Sequence, residues 1–428
     1  MCFSSVHEAY IIARRTNKLT CLCVFCMPAV LESVVDVSCR LQVGYSLYLC
    51  GLFFDIMDRY VCKQTGYFFW TEVCEMSRVS KLQAAIKAKK MDAMLVTSQY
   101  NLRYVSNFTG TTGLAVITQE EAFFVTDFRY TQQAASQAQG FQIIQNKGPI
   151  FDEVKKIVEE KGLSSLGFED AIMSFRSVED LEDMVTCDLI PASGIIEELR
   201  EVKDEAEIQT IRRACEIADA GFVFILDHIR PGVSEIEIAN RLDFHMRELG
   251  ASGVSFETIV ASGIRSAMPH GVASPKLIEK GDFVTLDFGC YYNGYVSDMT
   301  RTVSVGQPHA ELKKVYEIVL AAQLRVNATA KAGMTGIEVD SVARDYITEQ
   351  GYGDAFGHSN GHGIGLEIHE GPNTSQKAGK VLVPGNVITN EPGIYLAGLG
   401  GVRIEDALVI RDNGNEILTH SPKELIIL

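Results

Sequence analysis

The sequence predicts an α+β protein in which an α/β domain precedes a larger domain built from two pseudo-symmetric halves. Three observations carry that prediction. The chain has 428 residues, too long for one average domain. Strand and helix patterns alternate from residue 76 to about residue 198. Beyond residue 230 the sequence repeats itself, helix start for helix start and acidic strand for acidic strand. The expected boundaries are an atypical segment at 1–75, the α/β domain at 76–198 and the pseudo-symmetric domain at 199–428.

The first segment differs from the rest in composition. Eight of the eleven cysteines lie in it (Cys2, Cys21, Cys23, Cys26, Cys39, Cys50, Cys62 and Cys74), as does the single tryptophan, Trp70. The spacing of Cys21, Cys23 and Cys26 lacks the second Cys/His pair that a structural zinc site needs. Globular patterning begins at once from Met76, so 1–75 reads as an upstream extension with Met76 as the natural start. Only Cys187, Cys215 and Cys290 occupy the remainder, which reads as a reduced, cytoplasmic protein without disulfides. Lys and Arg number 39 against 55 Asp and Glu, a net charge of −16. Nucleic acid and anionic membranes both require basic patches, so neither is an expected partner. No apolar run reaches the roughly 18–20 residues that span a bilayer. The run at 21–31 follows Arg14, Arg15 and Lys18 but has no clean small-residue cleavage site after it.

Within 76–198 the pattern gives a helix over 79–90, a strand over 93–97, strands at 114–117 and 122–125 around a polar turn, and an amphipathic helix over 151–161. No catalytic cluster is visible there. A new unit begins near Arg200. Ile208, Ile211, Cys215, Ala218, Phe222 and Ile225 recur at three- and four-residue steps, one face of a long helix that Pro231-Gly232 ends.

The repeat then follows. Gly232-Val233-Ser234-Glu235-Ile236-Glu237-Ile238 matches Gly333-Met334-Thr335-Gly336-Ile337-Glu338-Val339. Ser234 with Glu237, and Thr335 with Glu338, read as capping boxes, and each helix runs to a stop glycine, Gly250 or Gly351. Downstream, the segment from Gly281 to Asp287 aligns with that from Gly385 to Glu391, and Asp298 and Glu405 follow as second acidic residues. Two halves related by a pseudo-two-fold axis would bring all four carboxylates together. Asn293-Gly294 signals a type I′ hairpin. If Tyr292 pairs with Tyr295, Gly289 faces Asp298, and Asp287 lies diagonally across on the same face. A β-bulge would break that register.

Carboxylates crowded in a sheet core repel one another and lose hydration, and divalent cations supply the compensation. Two-metal sites hold their ions about 3.5–4 Å apart and activate a water as nucleophile. His362, in Gly361-His362-Gly363-Ile364-Gly365, adds an imidazole on a glycine-rich stretch that permits close approach. His369-Glu370 continues into Gly371-Pro372, so no HExxH helix is present, and neither a GxSxG elbow nor a P-loop occurs.

The motifs Leu286-Asp287-Phe288-Gly289, Ser297-Asp298-Met299-Thr300-Arg301-Thr302, Gly357-His358-Ser359-Asn360-Gly361-His362-Gly363-Ile364-Gly365, Ile368-His369-Glu370, Asn390-Glu391-Pro392-Gly393-Ile394-Tyr395 and Val402-Arg403-Ile404-Glu405-Asp406 resemble the pita-bread metallopeptidases. More narrowly they resemble the Xaa-Pro dipeptidase (prolidase) and aminopeptidase P branch. The resemblance covers about 76–428 and implies a creatinase-like N-terminal domain ahead of a pita-bread catalytic domain. It implies Asp287, Asp298, His362, Glu391 and Glu405 as ligands of two divalent ions, Mn²⁺ first, with Co²⁺ or Zn²⁺ as alternatives. Asp298 and Glu405 would bridge the ions, and Glu391 would also shuttle a proton. His270 and His369 would hold the substrate and stabilise charge on the carbonyl oxygen. His358 would stand on the substrate side, and Arg403 would contact substrate while supporting the bridging carboxylates. The implied substrate is a proline-containing di- or oligopeptide, and the implied assembly a homodimer. The alternative is a non-peptidase member of the fold, either a creatinase-like hydrolase or an inactive binding module. Both typically lack ligands that are intact here.

Overall fold

The computed structural model describes residues 76–428. The expectations for 1–75, including the start at Met76, lie outside the described residues.

The N-terminal domain is a six-stranded mixed sheet. Its spatial order is Gln142–Gln145, Ala122–Thr126, Leu114–Thr118, Ala93–Val96, Ser165–Phe168 and Asp188–Pro191. The three inner strands from Ala122 to Val96 pair antiparallel, and the flanking pairs are parallel. Every residue of those inner strands is buried, because helices cover both faces. Alternation sends Met94, Val96, Ala115, Ile117 and Phe124 to one core, with the helix Arg78–Ala88. It sends Leu95, Leu114, Val116 and Phe123 to the other, with Val154, Ile157 and Val158 of the helix Ile150–Lys161.

The larger domain carries the repeat in its backbone. In the first half the helices Glu205–Leu226 and Glu235–Glu248 pack on the strands Phe283–Phe288 and Met299–Ser304. In the second the helices Ala310–Thr329 and Gly336–Glu349 pack on Val387–Asn390 and Asp406–Arg411. The correspondence extends to single bonds. Ser234 bridges Leu277 as Thr335 bridges Val381. Gly232 N donates to Ile278 O, and Gly333 N to Leu382 O, both at 2.9 Å. Gly281 and Gly385 take φ of 96° and 91° at matching turns, a backbone conformation that glycine enters without steric cost.

One expectation at the helix starts is corrected. Thr335 and Glu338 form the full capping box, but at Ser234 only the hydroxyl caps. The Glu237 carboxylate turns instead to Arg241 Nη2 at 2.9 Å, one helical turn on.

The halves meet along a seam. Glu405 N donates to Thr300 O at 3.1 Å, and Thr302 Oγ1 donates to Arg403 O at 3.0 Å. Arg301, buried at the same place, pairs with Asp406 at 2.9 Å. The seam lays the acidic ends of the two hairpins side by side.

Candidate metal centre

The first hairpin places two carboxylates. Tyr292 pairs with Tyr295, and Phe288 with Met299, so one register runs through the hairpin although Gly289 and Asp298 fall between named strands. Asn293 and Gly294 have φ of 46° and 79°, the two positive values that a type I′ turn requires. Asp287 and Asp298 therefore share a face, as the sequence predicts. A Cβ on Gly289 would come within 1.9 Å of Ser297 O, so no side chain fits where the two strands touch.

The second half supplies the rest. Glu391 follows the strand Val387–Asn390 directly, and its N donates to Asn360 O at 2.8 Å. Glu405 leads into the strand Asp406–Arg411. His362 is the middle residue of the strand Gly361–Gly363, which pairs with Ile388 through Gly363. Its flanking glycines are required by close approach: a Cβ on Gly361 would meet Thr389 O at 2.1 Å, and one on Gly363 would meet Gly371 O at 2.3 Å.

These side chains converge. Donor atoms of Asp298, His362 and Glu405 all lie within 4.8 Å of one another. His362 Nε2 is 3.4 Å from Glu391 Oε1 and 3.6 Å from Asp298 Oδ2. His362 Nδ1 donates to Gly363 O at 3.0 Å, which leaves the Nε2 lone pair facing the carboxylates. Asp287 Oδ2 accepts from Arg403 at 2.6 Å, while its Oδ1 is buried without a hydrogen-bond partner.

The electrostatics are those of a site short of positive charge. Burial, then the neighbouring Asp287 and Glu391, push the Asp298 carboxyl well above the usual carboxylate range. Burial and Asp298 do the same to Glu405. Burial pushes Glu391 up to about 7, with Asp287 adding to the shift. Burial lowers His362, keeping its imidazole neutral and able to ligate. Hard oxygen donors, one neutral imidazole and an orphaned carboxylate oxygen fit a divalent cation.

The remaining predicted residues line the same cleft, of about 460 Å³. His270 and His369 stand at its exposed rim, and His369 contacts His362 edge-on at 4.3 Å between ring centroids. His358, expected on the substrate side, lines the cleft with its ring already hydrogen-bonded. Its Nδ1 donates to Ser359 O at 2.8 Å, and its Nε2 accepts from Tyr395 Oη at 2.9 Å, so both nitrogens are already engaged. Burial lowers its pKa to about 4, which keeps the ring neutral. Arg403 is likewise occupied, donating to Thr300 Oγ1 at 3.1 Å, to Tyr395 Oη at 2.7 Å and to Asp287. Its guanidinium ties Asp287, Thr300 and Tyr395 together in the cleft wall.

Tyr395 closes one of the motifs read from the sequence but received no role there. It links Arg403 to His358 from the hairpin Gly393–Leu396 with Gly400–Arg403. There Tyr395 pairs with Gly401 and Gly393 with Arg403, so Tyr395 and Arg403 are diagonal neighbours. The alternation argument that joined Asp287 to Asp298 would have found it.

A two-half fold with a buried carboxylate–imidazole cluster at its seam defines a metal-dependent hydrolase of pita-bread architecture. The chain belongs to metallopeptidase family M24, which it matches over residues 209–412, and it matches the creatinase/prolidase N-terminal domain over residues 78–202. It is 50% identical to the uncharacterized peptidase YqhT of Bacillus subtilis over 352 residues, 82% of this chain and 100% of that protein. Among solved structures, the Xaa-Pro dipeptidase from Bacillus anthracis superposes with a TM-score of 0.81 at 53% identity, covering 82% of this chain and 99% of that one. The X-Pro aminopeptidase from Thermotoga maritima superposes with a TM-score of 0.77 at 41% identity, covering 81% and 100%.

Proposed function

We propose that this chain hydrolyses the peptide bond preceding proline, in dipeptides or at the N-terminus of short peptides, with two divalent ions held by Asp287, Asp298, His362, Glu391 and Glu405. The observation that carries the reading is the meeting of four carboxylates and one neutral imidazole, drawn from both halves, at the floor of one cleft. Membership of a metallopeptidase family and similarity to proteins named Xaa-Pro dipeptidase support it.

Bound ions would supply Lewis acidity toward the scissile carbonyl and lower the pKa of the attacking water. Glu391 takes the proton from that water and passes it to the departing proline nitrogen, from a position 3.4 Å from His362 Nε2. His270 and His369, at the rim, hold the substrate and face the charge that grows on the carbonyl oxygen. His358, Tyr395 and Arg403 form a hydrogen-bonded row that ends on Asp287 and fixes its orientation. An amide before proline has no N–H and a fixed ring, so a cleft shaped to that ring selects for it. Phe256, Ile259, Val272 and Ile368 give the cleft its apolar lining. The carboxylate-rich donor set favours Mn²⁺.

The test pairs substrate with metal. Mn²⁺-reconstituted protein should cleave an Xaa-Pro dipeptide, and an Xaa-Pro-Yaa tripeptide assayed alongside separates dipeptidase from aminopeptidase. Asp298→Asn and Glu405→Gln should each abolish turnover and lower bound metal measured by mass spectrometry. Full activity in either variant contradicts the ligand assignment.

A further inference from the structure

Glu235 is the first residue of the helix Glu235–Glu248, it is wholly buried, and nothing in the reaction above uses it. Its carboxylate gathers donors from a single loop. Ser262 N and Oγ reach one oxygen at 2.7 and 2.8 Å. Ser274 N and Oγ reach the other at 3.1 and 2.6 Å, with Arg265 Nε at 3.0 Å. Arg265 also donates to Val272 O at 2.7 Å. The loop between Ser262 and Ser274 carries His270, and both its ends are therefore drawn onto one carboxylate. Its middle is pinned by Gly401 N, which donates to Ser266 Oγ at 2.9 Å.

The repeat shows that the helix start does not itself require this residue. The equivalent position in the second half is Gly336, where a Cβ would come within 2.2 Å of Asn373 O. There the backbone packs directly on the neighbouring segment. The carboxylate is present only in the half where a loop bearing His270 must be held, and the helix N-terminus favours its charge.

We propose that Glu235 is the positioning residue of His270, closing the loop Ser262–Ser274 so that the imidazole stands over the metal cleft. The proposal rests on the reading that His270 acts on the substrate. Glu235→Gln keeps the shape but turns an amide NH₂ toward the backbone N–H of Ser262 or Ser274, and neither can become an acceptor.

In the metal-loaded enzyme, E235Q should lower kcat on an Xaa-Pro dipeptide by up to about 100-fold, the scale of a misplaced catalytic group, with KM changed no further than H270N changes it. Hydrogen exchange should quicken in residues 263–273 and stay unchanged in the helices. Adding E235Q to H270N should cost nothing beyond H270N alone. Ser274→Ala removes one donor and should give the same pattern more weakly, including if E235Q fails to fold. Wild-type kcat in E235Q, faster exchange spread through the whole domain, or losses that multiply with H270N would each overturn the proposal. If H270N itself keeps full kcat while E235Q frees the loop, the anchor stands and the role given to His270 falls.

Discussion

Asp298 and Glu405 are carboxyls that the fold makes hard to ionise until a cation is present. Burial and mutual repulsion raise both, and Glu391 is pushed up to about 7. A carboxyl whose pKa is raised on folding binds more protons folded than unfolded. Its contribution to stability is fully present below its unfolded value and is lost as pH rises through the folded one. Metal-free protein should therefore lose stability from this cluster as pH rises toward neutrality, and cation binding should restore it by displacing the protons. The rise in Tm on adding Mn²⁺ should grow between about pH 6 and pH 8, read by scanning calorimetry of chelated and reloaded samples. A metal-induced shift that is flat across that range would mean that these carboxyls are already ionised without the ion. Proton release on Mn²⁺ addition, followed by calorimetry in two buffers of different ionisation enthalpy, checks the same point independently.

Among the elements, the hairpin carrying Asp287 and Asp298 sets the geometry of the site, and its register depends on a contact that only glycine permits. Gly289 lies against Ser297 O, and a methyl group there must push the strands apart. Gly289→Ala should destabilise the domain by about 1–3 kcal/mol, as overpacking does. It should also cut bound metal and turnover, because the two aspartates no longer face the same point. Urea unfolding and metal analysis of the variant test this, and normal metal content would show that the register tolerates the methyl. This hairpin was legible in the sequence because Asn293-Gly294 dictates a turn whose loop length fixes every pairing beyond it. The row from Arg403 through Tyr395 to His358 was less legible. His358 reaches Tyr395 from a separate loop of the same half, 37 residues away, and no local pattern encodes that contact. At Ser234 the sequence misled for a different reason. Glu237 had two partners within reach, the capping position and Arg241, and the choice between an amide and a guanidinium is not written in the spacing. The anchoring of the His270 loop by Glu235 was invisible in the same way, since its donors lie 27 to 39 residues away.

Across the whole molecule, the helix and strand alternation and the repeat made the two-domain architecture legible, but not how the domains are joined. The join is ionic and buried. Arg200, at the end of the helix Ile195–Glu201, donates to Asn101 Oδ1 at 2.8 Å on the N-terminal side. On the catalytic side it donates to Glu370 at 2.5 Å, and Lys203 donates to the other Glu370 oxygen at 2.6 Å. Glu370 adjoins His369, so the linker between domains also holds the rim of the cleft. Burial alone would raise the Glu370 carboxyl, yet Lys203 and Arg200 outweigh it and hold the group below its ordinary value. Its contribution to stability is present above the unfolded value and is lost as pH falls through the depressed one, so acid should loosen the joint. Lys203→Met removes one of two cations from a charge that stays buried and keeps Arg200, so it should cost about 1–3 kcal/mol, less than a wholly broken buried pair. Urea unfolding should show a loss of that size, and turnover should fall as the His369 rim loosens. If the cost comes from the cation the carboxylate loses, Glu370→Gln added to Lys203→Met should recover part of it, since a neutral amide needs less positive charge beside it. A double variant less stable than Lys203→Met alone would mean that the joint depends on packing around the lysine stem rather than on charge.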